Sequence, residues 1–145
     1  MTLLVIDASV ALQWFLRGDH EEADAPAALA ILSGHAQGRL SLLQPPHFLA
    51  EVCAVLARAA PATMEEDLRD LLDLSIPRRD DPVVYARAMQ LSLQLGHHLS
   101  DTLYHAVALE TAGAVLVTAD DNYRRKALQH GLDRIVSLTH WQLAA

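Results

Sequence analysis

Two short stretches of the chain are wholly apolar and rich in β-branched residues, Leu3-Leu4-Val5-Ile6 and Ala114-Val115-Leu116-Val117-Thr118. Such runs read as strands buried on both faces. Each gives way to a carboxylate, Asp7 after the first and Asp120 after the second, and each then passes into a helix-like pattern. Ser9 is expected to cap an apolar run through Leu12 to Leu16, and Tyr123 to His130 reads as a helix behind Asp120. A parallel strand that stops on an acid and turns into a helix places that acid at the C-terminal edge of the sheet. Open α/β sheets bind their ligands there.

The remaining pattern alternates in the same way. Arg17-Gly18-Asp19-His20 is a polar break, and a helix follows from about Glu21 to Gln37, with Pro26 near its start and Gly34 and Gly38 at its fraying end. Leu40-Ser41-Leu42-Leu43 reads as a short strand stopped by Pro45-Pro46. His47 to Ala60 carries Phe48, Val52, Val55, Leu56 and Ala59 at helical spacing. Thr63-Met64-Glu65-Glu66 has the form of a capping box opening a helix to about Leu74, and Leu74-Ser75-Ile76 is expected as a third short strand. Asp81-Pro82 starts a helix that Gly96 closes, Ser100-Asp101 opens another that runs to Ala112 before Gly113, and Ile135-Val136 is the last strand. Strands alternating with helices imply an α/β fold with a mainly parallel sheet, covered on both faces. No internal repeat or linker divides residues 1–145, so one domain is expected.

Composition narrows this picture only in part. A chain of 145 residues with 52% hydrophobic and 20% charged residues has the makeup of an ordinary globular domain. The single cysteine, Cys53, excludes a disulfide framework and suits a reducing compartment. No apolar run approaches the ~18 residues that would cross a bilayer, and no secretory leader opens the chain, so a soluble cytoplasmic protein is expected. The formal net charge of −7 speaks against a broad nucleic-acid surface. A small metal-dependent site stays open, because carboxylates gathered around a cation make the formal count more acidic than the loaded protein.

Four carboxylates carry the candidate chemistry. Asp7, Asp101 and Asp120 each lie at or beside an expected helix start, where an acid caps free amides without any further role. Glu51 is the only charge in Phe48-Leu49-Ala50-Glu51-Val52-Cys53-Ala54-Val55-Leu56-Ala57, where it either meets Arg58 two turns on or belongs to a site. Taken together, the acids ending both buried strands should meet at one sheet edge, with Asp101 opening the helix that leads into the second. Their mutual repulsion would call for a cation. Oxygen ligands without cysteine or clustered histidine suit Mg²⁺ or Mn²⁺, and such an ion polarises a phosphoryl oxygen and activates a water. Ser9 and Thr118 would add hydroxyls around the ligands. The eight histidines form no zinc-like spacing and are read as structural or incidental. Arg124-Arg125-Lys126 serves either a substrate phosphate or the helix pairs Asp120–Arg124 and Asp121–Arg125. No glycine-rich phosphate loop or nucleophile elbow is present.

The chain resembles the PIN-domain family, and within it the VapC-type ribonuclease toxins of bacterial toxin–antitoxin modules. The resemblance rests on Val5-Ile6-Asp7-Ala8-Ser9-Val10-Ala11-Leu12 with Trp14-Phe15, on Pro46 to Leu56 around Glu51, on Asp101 to Ala108, and on Leu116-Val117-Thr118-Ala119-Asp120. It implies a three-layer α/β/α domain and an endoribonuclease that uses Mg²⁺ or Mn²⁺ to cleave RNA phosphodiester bonds. Asp7, Glu51, Asp101 and Asp120 would form its acidic quartet, with Asp7 and Asp101 as direct metal ligands and Asn122 as an added polar residue. It further implies homodimers, and a cognate antitoxin that covers the acidic cleft. The chain departs from common family patterns at Ser100 and Thr102 around Asp101, at Ala54 and at Gln13, without losing a carboxylate.

Two other classes compete. A non-catalytic PIN-like module would bind RNA or a protein partner without cutting. An aspartyl-phosphate phosphatase or receiver would use Asp7 as nucleophile, but the former wants an acid where Ser9 stands, and the latter wants a lysine after its last strand, whereas the only lysine is Lys126.

Overall fold

The computed structural model describes residues 2–16 and 25–143. The expected polar break at Arg17 to His20, and the first residues of the helix expected from Glu21, lie outside the described residues. The chain runs β1 (Thr2–Ile6), α1 (Ala8–Leu12), α2 (Ala25–Ala36), β2 (Leu40–Leu42), α3 (Phe48–Ala59), α4 (Met64–Asp73), α5 (Pro82–Leu95), α6 (Leu99–Leu109), β3 (Ala114–Thr118), α7 (Asp121–Gln129), β4 (Ile135–Ser137) and a 3₁₀ turn (Leu138–His140). The strands form one sheet in the order β2-β1-β3-β4, with every pairing parallel. This is the expected α/β architecture, a parallel sheet flanked by helices. Among the described residues no helix is long and apolar enough to cross a membrane.

The order of the strands locates the site. From β1 the chain moves outward to β2, then returns past β1 to β3 and β4 on the other side. The point where the direction reverses therefore lies between β1 and β3, the place where such sheets open a crevice beyond their carboxyl ends. Register brings the two edges level: Ile6 pairs with Val117, and the Asp7 amide donates to the Val117 carbonyl at 3.4 Å. Leu4, Val5, Ile6, Leu116 and Val117 are buried, so the sheet beneath the crevice is apolar.

A feature the pattern of apolar positions did not suggest closes the other side of β1. Gln44 is completely buried. Its backbone bridges to the segment around Arg78, accepting from the Arg79 amide at 2.9 Å and donating to the Pro77 carbonyl at 3.0 Å. Its side chain then serves Ile6, with Oε1 accepting from the Ile6 amide at 2.9 Å and Nε2 donating to the Ile6 carbonyl at 2.6 Å. Past the end of β2, one side-chain amide thus does the work of a strand for the residue next to Asp7.

Several local expectations give way to tertiary context. Ser9 does not cap α1; Asp7 does, accepting from the Ser9 amide at 3.0 Å, and the helix ends at Leu12 rather than Leu16. Beyond it, Trp14 is buried and its Nε1 donates to the Ala28 carbonyl at 2.8 Å. Gly34 is not a fraying end but a buried residue of α2, because a Cβ there would stand 2.7 Å from Leu40 Cδ2. Leu74-Ser75-Ile76 is not a strand. Leu74 is the C-cap of α4 and Ser75 has φ 51, a left-handed conformation that no extended strand accommodates. The box at Thr63–Glu66 does not form either: the Thr63 hydroxyl donates to Asp67 instead, at 3.0 Å. Asp81 and Gly96 cap α5 as expected, the glycine at φ 58. The next helix, α6, stops at Leu109, short of Ala112, where the Arg134 guanidinium donates to the carbonyls of Ala108, Leu109 and Thr111.

Candidate functional site

Asp7 follows the last residue of β1 and is half sunk between that strand and β3. Its carboxylate is held at both oxygens: Oδ1 accepts from the Ser9 amide and hydroxyl, while Oδ2 accepts one bond, from the Thr118 hydroxyl, and keeps a lone pair. Thr118 in turn accepts from the Asp120 amide at 2.9 Å, which ties the ends of both strands together. Burial pushes the Asp7 carboxyl up from 3.8 to about 6. The Ser9 and Thr118 hydrogen bonds oppose this rise, and the neighbouring Asp120 charge adds to it.

Asp120 caps α7, its Oδ1 accepting from the Tyr123 amide at 3.0 Å. Asp101 sits in the first turn of α6, whose cap is His98, so that helix starts slightly earlier than the expected Ser100-Asp101. Asp7, Asp101 and Asp120 line one small cavity with Tyr104, Leu116 and Tyr123; at about 10 Å³ it has the dimensions of a single water or ion. Burial first, then the Asp101 and Asp120 charges, hold the Tyr123 phenol well above its usual range, so it stays neutral beside the acids.

Glu51 does not line that cavity. It reaches it through Tyr104, whose buried hydroxyl donates to Glu51 Oε1 at 2.6 Å, and His47 lies 3.4 Å from the same oxygen. The alternative pairing with Arg58 is not what the structure uses. Desolvation raises the Tyr104 phenol far above its ordinary value, with Glu51 and then Asp7 adding to the rise, so it remains a donor. Tyr104→Phe keeps the ring and deletes only this bond. It is expected to lower stability by about 1–2 kcal/mol, since the acceptor is charged yet partly hydrated. An unchanged urea midpoint would mean that His47 and solvent carry Glu51 without the tyrosine.

Of the residues singled out from sequence, then, Asp7, Asp101 and Asp120 come together, Glu51 stands one side chain away, and Ser9 and Thr118 both bind Asp7. Asn122 lines a second, larger cavity of about 640 Å³ that shares Asp101 and Asp120 with the first and extends over His97, His98 and Lys126. The three basic residues of α7 divide. Arg124 and Arg125 both pair with Asp121, at 2.5 and 3.1 Å, so the expected Asp120–Arg124 pair is replaced and Asp120 is left to its capping role. Lys126 instead reaches His97 Nδ1 at 3.0 Å. Sequence does not single out His97, because His97-His98 before Asp101 and His105 after it form no zinc-like spacing. Here His97 Nε2 is 2.8 Å from Asp101 Oδ2, and His97, Asp101 and Asp120 offer ligand atoms within 4.8 Å of one another. His105 has the structural role expected of it: buried, it joins the Tyr123 hydroxyl and the Asp133 carbonyl, each at 2.8 Å.

The donor set is one of hard oxygens, and one member, Asp7, resists ionisation through burial first and the Asp120 charge second, a condition that a divalent cation relieves. A search of curated proteins finds no match to the chain. The model of the PIN domain does match, over residues 4–128, from β1 to the last turn of α7, and so takes in all four acids. The chain belongs to the PIN-domain family.

Proposed function

We propose that this protein is a Mg²⁺- or Mn²⁺-dependent endoribonuclease that serves as the toxin of a toxin–antitoxin module. The observation that carries the reading is the convergence of Asp7, Asp101 and Asp120 on one ion-sized cavity at the point where the sheet reverses direction. PIN domains are generally metal-dependent nucleases, and the match to that family extends across this cavity.

In this reading Asp7, Asp101 and Asp120 hold the cation, with Glu51 as the fourth acid of the site. A divalent ion in such a place supplies Lewis acidity toward a phosphoryl oxygen and lowers the pKa of a water at neutral pH. The chain supplies the geometry. Ser9 and Thr118 fix both oxygens of Asp7 from β1 and β3, and Tyr104 holds Glu51 toward the same crevice. The larger cavity over Asn122 and Lys126 gives RNA a polar wall beside the acids. The antitoxin would cover this crevice. The proposed homodimer is supported by an apolar stripe on α5, where Tyr85, Met89 and Leu93 stand exposed at helical spacing. A single domain working in the cytoplasm completes the reading.

The test is RNA cleavage by purified protein in Mg²⁺ or Mn²⁺, in EDTA, and by Asp101→Asn protein. Cleavage restricted to the metal-containing wild-type sample is expected. Equal activity in the wild-type and Asp101→Asn samples would assign the cleavage to a contaminant and overturn the reading. Metal uptake without cleavage of any RNA would leave a binding module.

A further inference from the structure

His97 joins a cation to an acid at the mouth of the crevice. Its ring is 9% exposed, with Nε2 at 2.8 Å from Asp101 Oδ2 and Nδ1 at 3.0 Å from Lys126 Nζ. The residue is held from other directions as well. Gly96 turns the chain at φ 58 just before it, the Ser92 hydroxyl donates to its carbonyl at 2.5 Å, and the Tyr123 ring meets it edge-on with centroids 4.9 Å apart. These contacts come from α5, from α7 and from the first turn of α6. A single residue, through its ring and its carbonyl, therefore gathers three helices around one carboxylate.

The hydrogen-bond chemistry fixes where the proton sits. An ammonium carries donors only, so the imidazole nitrogen facing Lys126 must accept. The ring proton is then on Nε2, from which it is donated to Asp101. With Oδ2 occupied in this way, Asp101 has Oδ1 left for an ion. A ring that accepts from an ammonium at one nitrogen and carries its proton at the other has no lone pair left for a metal, although its position beside Asp101 and Asp120 would otherwise suit a ligand.

We infer that His97, set in one tautomer by Lys126, is a positioning residue that orients the Asp101 carboxylate for cation binding. The inference rests on the nuclease reading only for the presence of the cation; the tautomer and the hydrogen bonds follow from the three side chains alone. Groups that orient a metal ligand through its second oxygen or nitrogen typically change metal affinity about 10–100-fold when removed.

The test has two arms on the full chain. In the first, the ¹⁵N shifts of His97 are read in a long-range ¹⁵N–¹H spectrum of metal-free protein. A proton on Nε2 and a bare Nδ1 are expected; the reverse tautomer overturns the inference. In the second, Mn²⁺ affinity is measured by calorimetry for wild type, His97→Ala, His97→Gln and Lys126→Met, with circular dichroism confirming an intact fold. His97→Ala is expected to weaken Mn²⁺ binding about 10–100-fold. His97→Gln, whose amide nitrogen can reach the place of Nε2, is expected to recover most of that loss. Lys126→Met keeps the ring but frees its tautomer, so it should weaken binding less than His97→Ala does. Unchanged affinity in a folded His97→Ala protein overturns the inference. So does a His97→Gln protein no better than His97→Ala, which would make the ring a ligand. Should wild type take up no Mn²⁺ at all, the nuclease reading falls, and the inference falls with it as to function even if the tautomer is as expected.

Discussion

Asp7→Asn is expected to cut RNA cleavage by about 10²–10³-fold in kcat, as for the loss of an electrostatic group central to a transition state, and at the same time to make the metal-free protein more stable. The two effects have one cause. The structure holds an ionised Asp7 in a partly buried place next to Asp120, and its carboxyl is pushed up to about 6. An acid whose value is higher in the folded than in the unfolded chain keeps its proton longer in the folded state. Below the unfolded value of 3.8 both states are protonated and nothing is lost. As pH climbs toward 6 the unfolded chain ionises first, and above 6 the folded state bears the full penalty, about 3 kcal/mol by linkage.

An asparagine in this position caps α1 as well as aspartate does and carries no charge. Part of the relief is returned because its amide must share the Thr118 hydroxyl, so a net gain of about 1–2 kcal/mol is expected at pH 7.5 in EDTA. The gain should vanish near pH 4. Saturating Mn²⁺ should reverse the order, since a ligand present at about 100 times its Kd stabilises only the form that binds it, by about 2.7 kcal/mol. Urea unfolding of both proteins at two pH values, with and without Mn²⁺, measures all of this. A variant less stable than wild type in EDTA at pH 7.5 would show that the hydroxyl cage, and not the cost of burying the charge, dominates at Asp7.

Gln44→Leu carries the second large effect. Leucine fills nearly the same volume, so the loss lies in the two bonds to Ile6, at 2.9 and 2.6 Å. Both backbone groups of Ile6 would be left buried without partners, at about 1–3 kcal/mol each. With a urea slope of about 2 kcal/mol per molar, a midpoint lower by about 1–3 M is expected, with the slope unchanged. A shift below about 0.5 M would mean that a water or a backbone shift takes over both bonds. Because Ile6 directly precedes Asp7, the surviving folded protein should also bind Mn²⁺ more weakly, which separates a site effect from loss of stability alone.

The parts of the fold that were legible in sequence are those set by local rules. The runs at Leu3–Ile6 and Ala114–Thr118 are strands because continuous β-branched apolar sequence has few other uses in a short parallel sheet. Asp81-Pro82 and Gly96 bound a helix because one supplies a cap and the other a left-handed turn. The acids at the two strand ends were legible for the same reason, since parallel strands must end at one edge. Where two local signals competed, sequence could not choose. Ser9 and Asp7 are both good caps, and Asp7 has the role because it precedes the helix and can accept from the Ser9 amide. Thr63 and Glu66 form a box on paper, but the Thr63 hydroxyl finds Asp67 first.

Asp7 at the end of a buried strand, a family pattern around four acids, and an alternating α/β order were thus determined by the sequence itself. Contacts between residues far apart decided the rest. Gln44 reads as an ordinary polar residue before two prolines until Ile6 stands 38 positions away with an amide and a carbonyl to satisfy. His97 is one of eight scattered histidines until α7 brings Lys126 against it, 29 positions on. Glu51 meets Tyr104 rather than Arg58 because the fold carries the Tyr104 hydroxyl of α6 to within 2.6 Å of it, which helical spacing along α3 does not reveal. The physical reason is the same in each case. Spacing along the chain fixes which face a residue occupies, but a buried polar atom is satisfied by whatever partner the fold delivers to it, and only the tertiary structure makes that delivery.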